Sequence, residues 1–402
     1  MEKRTRAYLR GRFRDYYRHA TITPPPDPRH REWGYIPFSS SGTTMVRHQS
    51  TLELGDIETF LQRERPRHVY FSAGYYDDPG AEQMDAKGWR GSDLVFDLDA
   101  DHLPAVDPDT TALADMLGAC KDALIRLLDF LETDFGFEDI TITFSGGRGY
   151  HVHVRDASIQ QLDRDSRREI VEYVRGIEVD FDHVVATQSV AGPAGRQSPA
   201  EKRLLTGEGG WSRRVHDRLL ALVEDLLAAD REQAIETLTT YDGIATGKAE
   251  AILTALENNQ AAIRRGNIDL HPAFVSLVRG LVAETRDAER APIDEPVTTD
   301  THRLIRLPGS LHGGSGLRVT RIGRDALDAF DPLSDAVPET FRGAEIAIDV
   351  TDLSGLPPMD DPTVGQVELG GGTFTVTDGN DLYPEFLGIF LMTRGRAEKD
   401  RE

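Results

Sequence analysis

The spacing of apolar residues changes twice along these 402 residues, and that change does most to restrict the fold. Up to about residue 158 and again from about 290, apolar side chains recur at every second position, the period of a half-buried strand. Between them, runs such as Leu219, Leu222, Val223 and Leu226, then Ile252, Leu253 and Leu256, recur at three and four, the period of a helix. The expectation is an α/β (α+β) chain: a discontinuous domain over 1–158 and 290–402, built on a mixed sheet, interrupted by a helical subdomain over 159–289.

Within the first segment, residues 1–20 have helical spacing and end at the Pro24–Pro26 breaker, and "REWGYIPF" (31–38) reads as the start of a sheet. In "SDLVFDLD" (92–99), Leu94, Phe96 and Leu98 point one way, while Asp93, Val95, Asp97 and Asp99 point the other, which reads as a half-buried strand with an acidic exposed end. After a helix over about 110–135, "DITITF" (139–144) and "YHVHV" (150–154) form a hairpin around Ser145-Gly146-Gly147-Arg148-Gly149. The stretch 354–380 reads as loops with a hairpin, and 383–392 as a terminal helix.

Composition narrows the setting. No run of about 18 apolar residues and no secretory leader pattern occur, so a cytoplasmic protein with no membrane contact is expected. The one cysteine, Cys120, lies among Met116, Leu117 and Leu124 in a helical pattern, and reads as a buried hydrophobe. A formal charge of −22 argues against nucleic acid at first sight. Yet acids are spread along the whole chain, and of 46 basic residues only six are lysine, at 3, 87, 121, 202, 248 and 399. That pattern suits a halophile. At molar salt the screening length is about 3 Å, so surface repulsion is damped while short Arg–phosphate contacts persist.

Asp97 and Asp99, two apart on a strand, project from one face roughly 7 Å apart along the backbone, a spacing suited to two hard oxygen donors for Mg²⁺ or Mn²⁺. Alone, D-x-D is as often a solvated turn. The Gly-rich turn adds backbone amides open to an anion and the forked charge of Arg148, flanked by Ser145 and His151. For His153 a polar position on a wet sheet surface is the plainer reading. A P-loop is excluded: "GIATGKA" (243–249) has the wrong spacing and no hydroxyl after Lys248. A third cluster, 293–317, holds Asp294, Glu295, Asp300, Arg303, Arg306, Ser310 and His312. On one strand, Arg303 and Arg306 would face opposite ways unless the strand ends between them.

Taken in order, "DLVFDLDADH" (93–102), "FSGGRGYHVHV" (144–154) and "HRLIRLPGSLHGGSGL" (302–317), preceded by "REWGYIPF" and "MVRHQS" (45–50), resemble the small, catalytic subunit of archaeal and eukaryotic DNA primases. The resemblance implies a metal-binding, catalytic triad of Asp97, Asp99 and Asp294, with Asp294 arriving from a separate strand and Asp300 the alternative. It implies nucleotide contacts from Arg47, Ser145, Arg148, His151, Arg306 and His312. It also implies two-metal synthesis of short RNA primers on single-stranded DNA from nucleoside triphosphates, with deoxynucleotide extension as a second activity, and a large-subunit partner in a heterodimer. Two departures stand out. Gly147 replaces a second turn arginine of many relatives, and residues 102–121 offer only His102 and Cys120 where relatives carry a zinc knuckle, so no structural zinc is expected. The competing readings are a repair polymerase of the same superfamily, such as an end-joining enzyme, and a catalytically silent nucleic-acid-binding subunit.

Overall fold

Alternation at 33–36 is realised as strand β1 (Trp33–Ile36), flanked by β2 (Val46–Gln49) and β3 (His68–Ser72). In the computed structural model, which describes residues 1–39, 44–103, 106–107, 110–190, 200–357, 361 and 363–400, two sheets carry the alternating segments. The second contains β4 (Leu94–Asp99), β5 (Ile140–Phe144) and β6 (Gly149–Val154). Later segments complete both: β7 (Leu304–Arg306) pairs with β3, giving the order β7-β3-β1-β2, and β8 (Thr320–Ile322) pairs with β5, giving β8-β5-β6-β4.

Every strand pairing among the described residues is antiparallel, so the sheet expected to be mixed is antiparallel. Hairpins and long returns suffice to join these strands, and no parallel crossover is needed.

The chain divides into two compact units. One takes Met1–Leu124, Phe137–Val171 and Pro292–Glu402; the other takes Ile125–Gly136 and Glu172–Ala291. In the first unit, Leu94, Phe96 and Leu98 are fully buried with Tyr150, Val152 and Val154, as the alternation requires. Burying each such side chain contributes about 2 kcal/mol. Helix α1 (Lys3–His19) and helix α2 (Leu113–Asp129) occupy the predicted positions. Cys120 of α2 is buried, its thiol lies 3.3 Å from the Arg148 carbonyl, and burial pushes its pKa up to about 12.

The opposite face of β4 differs from expectation. Asp93 and Val95 are as buried as the leucines, because the first sheet covers that face: Ala73, Val95, Val297 and Ile305 form one cluster, and Phe71 stacks on His153 at 5.7 Å. His153 therefore lies between sheets, with Nδ1 3.5 Å from Asp93, and not on a wet surface. Asp93 accepts from Arg31 at 3.1 Å, Arg155 at 3.1 Å and the Tyr75 hydroxyl at 2.7 Å, so its buried charge is compensated.

The second unit contains the helices Gly210–Ala228, Arg231–Thr239, Thr246–Arg264 and Pro272–Glu289. It also holds an antiparallel ribbon, Val185–Val190 with Ala200–Leu205, where a wholly helical reading was expected; 191–199 lie outside the described residues. The β-branched Val185 and Thr187 favour the extended backbone there. Toward the C-terminus, the expected hairpin is Val364–Leu369 with Gly372–Thr377. Its two-residue turn places Gly370 and Gly371 at φ 66° and 84°, the conformation that tight hairpins demand. Residues 358–360 and 362 of the predicted loop lie outside the described set. The short terminal helix expected over 383–392 is α4 (Glu385–Thr393), followed by a strand, Ala397–Lys399, that pairs with Glu345–Val350; another short helix, α3 (Glu295–Thr299), precedes β7 in the chain.

Candidate active site

The register of β4 against β6 sets the site. Asp97 lies opposite His151 and Asp99 opposite Gly149, so the D-x-D carboxylates and the His151 ring share one face. A Cβ at position 149 would come within 1.8 Å of the Leu98 carbonyl oxygen, so only glycine lets the two strands close here. The Gly-rich turn is thereby held against Asp99. Arg148 reaches back across it, pairing with Asp101 and placing Nε 3.8 Å from Asp99. Ser145 is buried, and its hydroxyl accepts from the Gly147 amide at 3.3 Å, so it braces the turn from inside.

His151 Nε2 lies 3.5 Å from Asp97 Oδ1, and its buried Nδ1 has no hydrogen-bond partner. Burial, with Arg306 nearby, holds its pKa far below the usual histidine range, so the ring is neutral. Asp97 moves the other way: burial first, then the charge of Asp99 and also that of Asp294, push its carboxyl up to about 6. Like charges forced together in a partly dry site are what a divalent cation relieves.

Asp294 reaches this centre through its backbone, its amide donating to the Asp97 carbonyl at 3.0 Å. It stands just before helix α3 and not on a strand, which corrects the expected route. His102 Nε2 lies 3.8 Å from its carboxylate. Asp300 also borders the cleft that contains Asp97 and Asp99, and accepts from the His302 amide at 2.9 Å. Among the described residues no three ligating side chains already close on one point. The donors of Asp97, Asp99 and Asp294 nonetheless fit hard cations in kind.

That cleft, of about 390 Å³, is also lined by Met45, Arg47, Tyr70, Arg303 and Arg306. Strand β7 spans only Leu304–Arg306, so Arg303 sits outside it and both arginines reach the same cleft. Arg306 pairs in register with Tyr70, its guanidinium 5.9 Å from that ring. Arg47 Nε lies 3.4 Å from the wholly buried Glu32, which also takes Lys87 at 3.2 Å. Tyr70, His302 and Glu32 were not singled out in sequence. Tyr70 was detectable only through its pairing with Arg306, a long-range register that spacing does not reveal.

His312 does not border the cleft with Asp97; it packs on the Gly-rich turn. Nδ1 accepts from the Gly314 amide at 3.3 Å and lies 3.1 Å from Ser315 Oγ, which donates to the Gly146 carbonyl. The ring's other nitrogen faces Gly147, where an added Cβ would lie 3.4 Å away. Desolvation, reinforced by Arg306, keeps this imidazole neutral. With Nδ1 accepting, Nε2 carries the proton and is a donor beside the turn. The structure thus gathers Arg47, Asp97, Asp99, His151 and Arg306 in one cleft and sets Ser145, Arg148 and His312 together at the turn.

Comparison with known proteins identifies the family. The family described as DNA primase small subunit matches residues 96–324, the stretch from β4 to just beyond β8. The DNA primase small subunit PriS of Haloarcula marismortui is 62% identical over 403 residues, covering all of both chains. Its counterpart in Natronomonas pharaonis is 58% identical over 405 residues, again covering both in full. That of Methanothrix thermoacetophila is 39% identical across 99% of this chain and 100% of its own. On the match to the family and these full-length relatives, the chain belongs to the DNA primase small subunit family.

Proposed function

We propose that the chain is the catalytic subunit of a DNA primase, a DNA-templated nucleotidyltransferase that makes short RNA primers on single-stranded DNA from nucleoside triphosphates. The observation that carries this reading is the β4–β6 register, which sets Asp97 and Asp99 beside His151 in a cleft whose other walls are Arg47, Arg303 and Arg306. Anionic donors at one end and forked cations around them suit a metal-bound triphosphate.

Asp97, Asp99 and Asp294 would hold Mg²⁺ or Mn²⁺, which when bound supplies Lewis acidity to an attacking hydroxyl and charge balance for pyrophosphate. The chain's own groups do the rest. Arg306, Arg303 and Arg47 bind and orient the triphosphate, and His312 Nε2–H and Arg148 offer donors at the Gly-rich turn. The neutral His151 touches Asp97 and fixes its carboxylate. In the reaction the primer 3′-oxygen bonds to the α-phosphorus as the bond to the β-phosphate oxygen breaks, releasing pyrophosphate. The relatives are named small subunits, which supports a larger partner subunit in a heterodimer.

Asp97→Ala and Asp99→Ala should each abolish nucleotide incorporation with Mg²⁺ or Mn²⁺ while leaving the far-ultraviolet circular dichroism unchanged. A folded double variant that still makes primers would overturn the reading. Initiation on an unprimed template separates a primase from a repair polymerase with the same carboxylates, which extends only existing ends. Soaking with Mn²⁺ and a nucleotide tests for a silent subunit, in which Asp97 and Asp99 would stay bare.

A further inference from the structure

Helix α1 runs against the charge of the chain that carries it. The formal charge of the whole is −22, yet seven of the 17 residues of α1 are Lys or Arg and one, Asp15, is acidic. The buried Leu9, Phe13 and Tyr16 hold the helix to the first unit, and Arg12 helps by pairing with Glu385 at 2.7 Å. The remaining arginines have another setting. Arg6, Arg10, Arg14 and Arg18 follow at four-residue intervals, so they form a line along the helix about 18 Å long. Arg6 and Arg14 are half-buried, and Arg10 and Arg18 are exposed. Arg14 and Arg18 share the one carboxylate of Asp15, at 3.4 and 3.8 Å. The side chains of Arg4, Arg6 and Arg10 take no hydrogen bond or ion pair among the described residues, since the ion pairs of the helix go to Arg12, Arg14 and Arg18.

The stability of the helix does not account for this line. Like charges four apart repel along a helix. The first turn, at the positive end of the helix dipole, has no acid and holds Lys3, Arg4 and Arg6. An anion laid along α1 relieves both conflicts. The line also starts at the nucleotide site. At the C-terminal end of α1 the Tyr16 hydroxyl donates to the Gly309 carbonyl at 2.7 Å, and the Tyr17 hydroxyl accepts from the Leu311 amide at 3.2 Å. Gly309 and Leu311 lie between Arg306 and His312, so this end of the helix is braced on the loop that joins those two residues. Arg18 follows Tyr17 directly, and the other three arginines lead away from the loop.

We propose that the line Arg6, Arg10, Arg14 and Arg18 is a nucleic-acid contact surface, holding the phosphate backbone of the single-stranded DNA template where it runs outward from the Arg306–His312 loop. This rests on the primase reading and assigns the place where an acidic chain touches DNA. Guanidinium forks match phosphate oxygens, and such short contacts persist at molar salt, where longer-range attraction is screened. Successive guanidiniums rise about 6 Å along the helix, a regular row that suits a regularly repeating polyanion better than the irregular carboxylates of a folded protein.

The test is binding of a fluorescent single-stranded oligothymidylate to the full chain over a series of KCl concentrations around molar. It compares wild type, the triple variant Arg6→Gln/Arg10→Gln/Arg14→Gln, and Arg231→Gln/Arg264→Gln/Arg265→Gln, which removes the same charge from the second unit. The α1 variant should bind about tenfold more weakly, and its slope of log affinity against log salt should be about two units shallower. ATP with Mn²⁺ should bind it as it binds wild type, and primer synthesis should recover at saturating template. Wild-type affinity and slope in the α1 variant, in a chain that makes primers, would overturn this proposal alone; loss of the large subunit by that variant would then place a protein partner on the line. Equal weakening in both triple variants would mark net charge and not a surface, and would also overturn it. A wild-type chain that neither binds the oligonucleotide nor makes primers would remove the primase reading, and this proposal with it. Should the α1 variant lose the wild-type melting midpoint, Arg10→Gln alone is read by the same slope, about 0.7 shallower.

Discussion

At the scale of single residues, burial decides which polar groups carry function and which hold the frame. Asp93, Asp97 and Asp99 share one face of β4, and the D-x-D pair was legible from spacing alone. That Asp93 is a structural ion was not, because its partners Arg31 and Arg155 come from 62 positions away on either side. Nothing in a local pattern reports such a pairing. Replacing Arg31 by Met leaves Asp93 with Arg155 as its one guanidinium, beside the Tyr75 hydroxyl, and strips donors from the Ser72 and Pro26 carbonyls, both within 2.8 Å of the guanidinium. Breaking a buried pair in this way should cost about 3–5 kcal/mol, read as a lowered denaturant midpoint. Gly149→Ala should be as damaging for a steric reason. Its Cβ would overlap the Leu98 carbonyl, so β4 and β6 must separate at Asp99, and both the melting midpoint and Mn²⁺ binding should fall.

At the scale of elements, periodicity located β4, β5, β6 and α2 because each repeats its pattern over several turns or pleats. It failed where an element's surroundings set its character. The far end of the Asp97 face, at Asp97 and Asp99, stays partly exposed as its acidic residues suggest, whereas Asp93 and Val95 on the same face are buried by the first sheet's approach through Phe71 and Ile305, which no local pattern reports. Three-residue β7 is too short to show a period, so which way Arg303 and Arg306 face could not be read from spacing. The hairpin Val364–Leu369 with Gly372–Thr377 was signalled by its glycines, and it offers an element-scale test. At Gly371, φ is 84° and an added Cβ meets only Ser334 Oγ at 3.5 Å, so Gly371→Ala isolates backbone strain. It should cost about 1 kcal/mol in thermal unfolding and leave ATP binding at the wild-type value.

For the whole molecule, pH links the buried polar core to stability, and the sign follows from which state binds protons. Burial lowers His153 to about 4 and His68 to about 3, whereas in the unfolded chain both titrate near the ordinary value of 6.5. Above that value neither state is protonated and the folded state keeps its full advantage. As pH falls below about 6.5 the unfolded chain takes up protons that the folded one refuses, so stability declines until the folded values are reached. His153 alone should cost on the order of 3 kcal/mol at pH 4. Asp93, held below its usual range by His153, Arg31 and Arg155 against the opposing effect of burial, adds a loss in the same direction once pH passes below the unfolded carboxylate range. The formal charge of −22 acts oppositely, since acid reduces it and with it the mutual repulsion of the surface. Salt separates the two. In molar KCl the surface term is screened within about 3 Å, whereas buried groups are screened far less. Melting curves in molar KCl should therefore show stability falling steadily between pH 6.5 and 4, and His153→Phe, which keeps the stack on Phe71, should flatten that slope. An unchanged slope in that variant would place the acid sensitivity elsewhere than between the two sheets.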